Sequence, residues 1–215
     1  MSGSILVVNP NSNQAVTDGL DQALAPFRFA GGPSIECLTL AEGPFGIESQ
    51  LDADSVVVPL ARLVEARRDA AAIVIACYSD PGIDACRSVA RVPVFGIQEA
   101  GIMAALQRGE RFGVIAIRSA SIARHRRYMA RLGVLARLAG ERALDVSVAE
   151  SAGEAVFARL TEIGARLVED GAEAVILGCA GMARHRAGLE KALGCPVIEP
   201  TQAAVAAALG AVLAE

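Results

Sequence analysis

Along this chain, short apolar runs bounded by turn residues alternate with segments whose apolar positions recur three and four apart. The runs predict buried strands and the segments predict helices. Ser4-Ile5-Leu6-Val7-Val8 is a first strand, and Asn9-Pro10-Asn11-Ser12-Asn13 is the polar turn after it. A helix follows over residues 14–24, a strand over 34–40, and a loop of turn residues at Glu42-Gly43-Pro44-Phe45-Gly46. The next helix begins at Asp52 or Asp54 and runs to residue 68. Ala72-Ile73-Val74-Ile75-Ala76-Cys77 is a strand ending in a cysteine. A helix over 81–90, a strand over 92–97 and a helix over 98–108 come after it.

The order then restarts. Arg111-Phe112-Gly113-Val114-Ile115-Ala116-Ile117 matches the first strand, with Arg118-Ser119-Ala120-Ser121 as its turn. A helix over 122–132, a strand over 143–148 and a long amphipathic helix over 152–170 precede a second cysteine strand, Ala174-Val175-Ile176-Leu177-Gly178-Cys179. A Pro-Val strand and an alanine-rich helix close the chain. From cysteine to that Pro-Val proline the spacing is 16 residues in one copy (Cys77 to Pro93) and 17 in the other (Cys179 to Pro196). A shift of 102 residues lays Cys179 on Cys77, and a shift of 108 lays Ser119 on Asn11.

Alternating strands and helices mean an α/β fold with parallel sheets covered on both faces. The repeat makes two pseudo-symmetric flavodoxin-like halves, residues 1–100 and 101–215, meeting near 98–110. The helix at the end of the first half is a candidate to pack on the second. Ligands of such sheets sit beyond the carboxyl ends of the strands. Asn11, Cys77, Ser119 and Cys179 all fall there, so the active site belongs in the cleft between the halves.

Composition narrows the classes. Apolar residues make up 53% of the 215, there is no Trp, and the net charge is −4. That leaves no nucleic-acid footprint. No apolar run reaches the roughly 18 residues of a membrane span. Residues 1–3 lead straight into a strand without a signal-peptide pattern, so the expected setting is the cytoplasm. The aliphatic excess suggests a homo-oligomer. Five cysteines with no C-x-x-C pair and only two histidines predict neither a disulfide framework nor a metal site. The only lysine, Lys191, is far from any strand end, which disfavours pyridoxal phosphate, and no Gly-rich nucleotide fingerprint is present. No cofactor is expected.

The chemistry then rests on Cys77 and Cys179. Each is read as lying just before a helix start, where unpaired N–H groups and the dipole favour a thiolate. Asp80 is read as the cap of the helix after Cys77, with Pro81 at its first position, and as a ligand contact second. Ala180-Gly181 leave backbone N–H groups open to a ligand. Two thiols facing one another suit removal of a proton from one face of a carbon beside a carbonyl and delivery to the other. Asn11 caps its turn or binds substrate. Arg118 pairs with an anionic substrate or points to solvent. Cys37, Cys86 and Cys195 read as packing. The cluster Arg124-His125-Arg126-Arg127 reads as solvated helix surface, with an anionic ligand or a subunit contact as its second reading, and His185 reads as solvated surface too.

These residues resemble the Asp/Glu/hydantoin racemase superfamily, in its hydantoin and allantoin racemase branch. The likeness runs over nearly the whole chain. It is carried by Asn9-Pro10-Asn11-Ser12 with Thr17, Gly43-Pro44 with Ile47-Glu48-Ser49, Cys77-Tyr78-Ser79-Asp80-Pro81-Gly82 and Gly178-Cys179-Ala180-Gly181-Met182. The resemblance implies that Cys77 and Cys179 are the acid/base pair of a cofactor-independent racemase. It also implies that Asn11, Ile47, Ser79, Ser119, Ala180 and Gly181 line its pocket, beside Tyr78, Asp80 and Arg118 as further substrate contacts. Amino-acid racemases of the superfamily carry Cys-Asn-Thr and Gly-Cys-Thr. Tyr78-Ser79 and Ala180-Gly181 stand here instead, which favours a ring with fewer charges, a 5-substituted hydantoin or allantoin. Tyr78 is bulky enough to restrict the substituent. The competing readings are an aspartate- or glutamate-type racemase, a maleate isomerase or arylmalonate decarboxylase-like enzyme, and a thiol redox or ligand-binding protein. A reversible disulfide would need the two Cα atoms within about 7 Å.

Overall fold

The computed structural model describes residues 3–214; Met1, Ser2 and Glu215, and with them part of the leader-free reading of the N-terminus, lie outside the described residues. The first half runs β1 (Ser4–Asn9), α1 (Gln14–Ala23), β2 (Ile35–Thr39), α2 (Gln50–Ser55), α3 (Val57–Ala66), β3 (Ala70–Ile75), α4 (Ile83–Val89), β4 (Val94–Gly96) and α5 (Ile97–Leu106). The second runs β5 (Phe112–Ala116), α6 (Ser119–Arg131), β6 (Leu138–Ala143), α7 (Phe157–Glu169), β7 (Ala174–Gly178), α8 (Arg186–Leu193), β8 (Val197–Ile198) and α9 (Pro200–Leu213). Each half holds one four-stranded sheet, ordered β2-β1-β3-β4 and β6-β5-β7-β8. Every strand pair is parallel. The α/β reading of two matching halves therefore holds.

Burial on both faces explains the unbroken apolar runs. Ile5 and Val7 of β1 face one core, while Leu6 and Val8 face another. Helices α1 and α9 cover one face of the first sheet, and α3 and α4 cover the other. The last helix of each half crosses over: α5 packs on β7, β5 and β8, α9 packs on β3, β1 and β4, and the two helices pack on each other. Both are apolar around most of their circumference, as suits helices held between layers. Gly101 of α5 eases that contact, because a Cβ would meet the Pro200 side chain at 3.0 Å.

Several boundaries differ from the pattern. The strand expected at 143–148 is β6, at Leu138–Ala143. It lies at a sheet edge, where polar residues such as Glu141 and the half-buried Arg142 are admissible, so its sequence lacks the apolar signature. The helix expected from Asp52 or Asp54 starts earlier and divides. Ser49 caps α2 through a capping box with Asp52, and α3 follows separately. The long helix read over 152–170 becomes α-helical only at Phe157, after a 3-10 turn at Glu154–Val156. Neither Asp80 nor Pro81 opens α4. Its cap is Gly82, at φ 69, which only glycine adopts without strain.

Candidate active site

Strands β1, β3, β5 and β7 end toward one side, and a narrow cavity of about 30 Å³ lies beyond them. Both Cys77 and Cys179 line it, with Asn11 from the turn after β1, Ile47 from the loop after β2, and Ala180-Gly181. Tyr78 and Ser79 line it as well. Three residues expected at the substrate lie elsewhere. Asp80 turns away, and its carboxylate accepts from the backbone N–H groups of Gln98 and Glu99, both at 2.9 Å. It caps α5 rather than α4. Arg118 is paired with Glu48 at 2.7 Å, tying the second half to the loop after β2. Ser119 is exposed at the start of α6, its N–H donating to Asp145 at 2.7 Å.

Asn11 holds its turn. Its Oδ1 accepts from Asn9 Nδ2 and from the Asn13 N–H, at 3.0 and 2.9 Å, holding the turn. The residue still borders the cavity.

The two thiols are held differently. Cys77 precedes a tight loop in which the Ser79 and Asp80 N–H groups donate back to the Cys77 carbonyl at 2.8 and 3.0 Å. Asp80 adopts φ 45 to make that bend. Burial pushes the Cys77 thiol up to about 12, and the nearby Arg124 charge pulls the other way. Cys179 precedes a 3-10 turn, Ala180–His185. Burial raises it too, opposed by the Gly181 N–H and the Ser151 hydroxyl. Ser151 Oγ donates to the Val148 carbonyl at 2.7 Å and lies 3.9 Å from Cys179 Sγ. A hydroxyl so placed accepts from the thiol and can turn to donate to the thiolate. A Cβ at Gly181 would lie 2.3 Å from Ser151 Oγ, so a side chain there would displace that hydroxyl from Cys179. The expectation that helix dipoles favour both thiolates does not hold. Helix α4 starts only at Ile83 and the second turn is not α-helical, so desolvation prevails.

The sequence reading missed the third wall. His125 and Arg124 of α6 border the cavity. His125 is 1% exposed and its Nδ1 lies 2.6 Å from Glu141 Oε1, itself 1% exposed at the side chain. Its ring meets Tyr78 edge-on at 5.1 Å. Arg124 Nε donates to Ser79 Oγ at 2.9 Å. Only Arg126 and Arg127 of that cluster are exposed. His185 is also buried, its Nε2 3.2 Å from the Ser151 carbonyl, behind Cys179. The signal was present for His125: Ser121, His125, Tyr128 and Met129 are the buried stripe of α6 at helical spacing. Arg124 stands in the basic cluster, whose second reading is an anionic ligand; nothing in the sequence marks Ser151.

The narrow cavity shares Val16, Val148, Ala180 and Gly181 with a larger groove of about 600 Å³ between α1 and the loop before α7. No Asp or Glu lines the cavity itself. Among the described residues there is no cluster of three or more metal-ligating side chains. No helix among them is long and apolar enough to cross a membrane.

The family model described as Asp/Glu/Hydantoin racemase matches residues 5–208. A hydantoin racemase of Paenarthrobacter aurescens is 35% identical over 210 residues, spanning 93% of this chain and 87% of that protein. An allantoin racemase from Klebsiella pneumoniae superposes with a TM-score of 0.91 at 30% identity, covering 99% of this chain and 89% of that one. One from Pseudomonas fluorescens gives 0.90 at 26% identity, covering 98% and 91%.

Proposed function

The chain belongs to the Asp/Glu/hydantoin racemase family, and on that premise we propose that it is a cofactor-independent isomerase inverting C5 of 5-substituted hydantoins, allantoin included, through a cysteine pair. The observation that carries this reading is one cavity bordered by two thiols and a guanidinium, with no carboxylate. An amino acid presents an ammonium group that needs an acceptor or counter-charge. A hydantoin presents none, and its C5–H is acidified by the adjacent carbonyl. The likeness to hydantoin and allantoin racemases supports the same choice.

In this mechanism one sulfur is a thiolate and the other a thiol. The thiolate takes the C5 proton, and the C–H electron pair moves into the ring toward the C4 oxygen. The pair returns to C5 as the opposite thiol delivers its proton to the other face. The product is the mirror-image ring, with the roles of the sulfurs exchanged. The reverse reaction starts from that exchanged state. No electron leaves the system, so no redox partner is required.

At about 30 Å³ the cavity is narrow for a substituted five-membered ring. The ring therefore enters as the halves part, and the C5 substituent extends into the neighbouring groove. Closing around the ring excludes water and strengthens every charge interaction within. The reading places the enzyme in the cytoplasm, where its five free cysteines stay reduced. It also makes it a homo-oligomer, using apolar side chains exposed on the monomer such as Phe45, Leu51 and Val58.

The test is to incubate single enantiomers of 5-methylhydantoin, 5-benzylhydantoin, allantoin, aspartate and glutamate in D₂O without added cofactor, following optical rotation and deuterium at the stereocentre. Hydantoins racemise with deuterium uptake, and the amino acids do not. Cys77→Ser and Cys179→Ser each lower racemisation by about 10³-fold or more. Full activity in either variant would remove the two-base mechanism.

A further inference from the structure

Arg124 is a cation with one hydrogen bond to the protein, from Nε to Ser79 Oγ at 2.9 Å. Ser79 Oγ in turn donates to the Tyr78 carbonyl at 2.6 Å, so its lone pairs are fixed toward the guanidinium. Arg124 Nη1 is buried and has no acceptor among the described residues. A covered guanidinium donor without an acceptor is costly, because the hydration it lost is not replaced. The residue borders the cavity that holds Cys77 and Cys179. With Ser79 it also borders an open cleft on the other side, so the pair forms the wall between the reacting thiols and the outside. No carboxylate lines the cavity to compensate the charge.

Resting on the hydantoin reading above, we propose that Arg124 is a further catalytic residue, whose Nη1 donates to the ring C4 oxygen as C5 loses its proton. The charge that leaves the C5–H bond collects on that oxygen. A cation whose covered donor already points into the site stabilises it there without reorganisation. The donor stands nearly idle in the ground state and is fully engaged in the enolate, so its contribution falls on kcat rather than on KM. A second consequence follows from position. Arg124 is the main influence pulling the Cys77 thiol downward, so its loss also moves the ionisation of Cys77 upward. The bland alternative is that Arg124 only braces Ser79.

Kinetics with 5-methylhydantoin across pH 7 to 10 separate the two. Arg124→Gln is expected to lower kcat by about 10²-fold with KM within about threefold, and to shift the alkaline rise of kcat/KM to higher pH. Arg124→Lys keeps the charge but loses the planar fork, so it recovers part of that loss, and its folding is checked by its melting curve. Guanidinium ion added to Arg124→Ala restores part of kcat. A merely bracing residue would behave otherwise: Ser79→Ala would reproduce the whole kcat loss, with no pH shift and no rescue. That result, or kcat within threefold for Arg124→Gln, overturns the proposal while leaving an active wild type. A wild type inert on every hydantoin overturns the functional reading, and this proposal with it.

Discussion

Helices α5 and α9 begin at equivalent places, each directly after the last strand of its half, and each start is capped by a buried carboxylate taken from a different part of the chain. For α9 the cap is local: Glu199 accepts from the Thr201 and Gln202 N–H groups at 3.0 and 2.6 Å. For α5 the cap position is Gly96, and the carboxylate comes from Asp80, in the loop after Cys77. A Cβ at Gly96 would lie 2.2 Å from the Asp80 carboxyl, so Gly96 and Asp80 are one device. Unpaired N–H groups at a buried helix start must be met, and the two halves meet them with different residues. The two halves share the physical requirement and not its solution. The difference reaches the site. Asp80 ties the Cys77 loop to α5, whereas the Cys179 turn has no such tether and leans on Ser151 and His185.

The sharpest break in the comparison is at the sulfurs themselves. Cys179 has donors for its thiolate, Gly181 N–H and Ser151 Oγ, while Cys77 has only the Arg124 charge against its desolvation. Beyond the loss of racemisation in both serine variants, the residual one-sided deuterium exchange should therefore be faster in Cys77→Ser than in Cys179→Ser. Mass spectrometry of each recovered enantiomer measures it; the opposite order would mean that the donors do not decide which sulfur ionises.

Removing the caps comes next. Asp80→Ala and Glu199→Ala each leave two buried N–H groups unmet and should cost about 2 kcal/mol, read by denaturant melts. Only Asp80→Ala should also lower kcat, by about tenfold, because only that carboxylate positions a cysteine loop. Equal kcat losses would show that the tether does not matter.

A smaller effect is the pH dependence of stability. Burial raises Asp80 from 3.8 to about 7, so the folded chain keeps a proton that the unfolded chain has released. Its contribution is full below pH 3.8 and declines as pH rises to about 7. Burial raises Glu199 in the same direction. Asp80→Asn should flatten this slope, and an unchanged profile between pH 4 and 7 would assign it to other groups.

Smallest is the Arg118–Glu48 pair that joins the halves across the cleft. It is partly exposed, so Arg118→Ala should cost below about 1 kcal/mol. Since Glu48 Oε1 also accepts from the Val148 N–H at 3.1 Å, the change should raise KM a fewfold by loosening closure.

Much of this could be read from the chain. The repeated strand ending in cysteine gave both halves, the parallel sheets and the side on which the thiols lie. What escaped it was of one kind. Glu141 pairs with His125 across 16 positions, Asp80 reaches Gln98 across 18 and Arg124 reaches Ser79 across 45. The sequence showed these as charged residues in exposed-looking stretches, because a buried polar group and a solvated one have the same letter. Edge strand β6 escaped for a related reason: a half-buried edge does not need the apolar alternation that marks a strand.

The sequence by itself determined the order of elements, the two-fold repeat and the cysteine at each strand end, since these follow from hydrophobic period and local turn chemistry, properties of neighbouring residues. Only the tertiary structure decided that α5 and α9 change sheets, that Asp80 caps α5 rather than α4, and that Arg124 enters the wall beside the thiols. Those outcomes depend on which unmet donors and acceptors come within bonding distance after the sheets pack, and no local pattern encodes that distance.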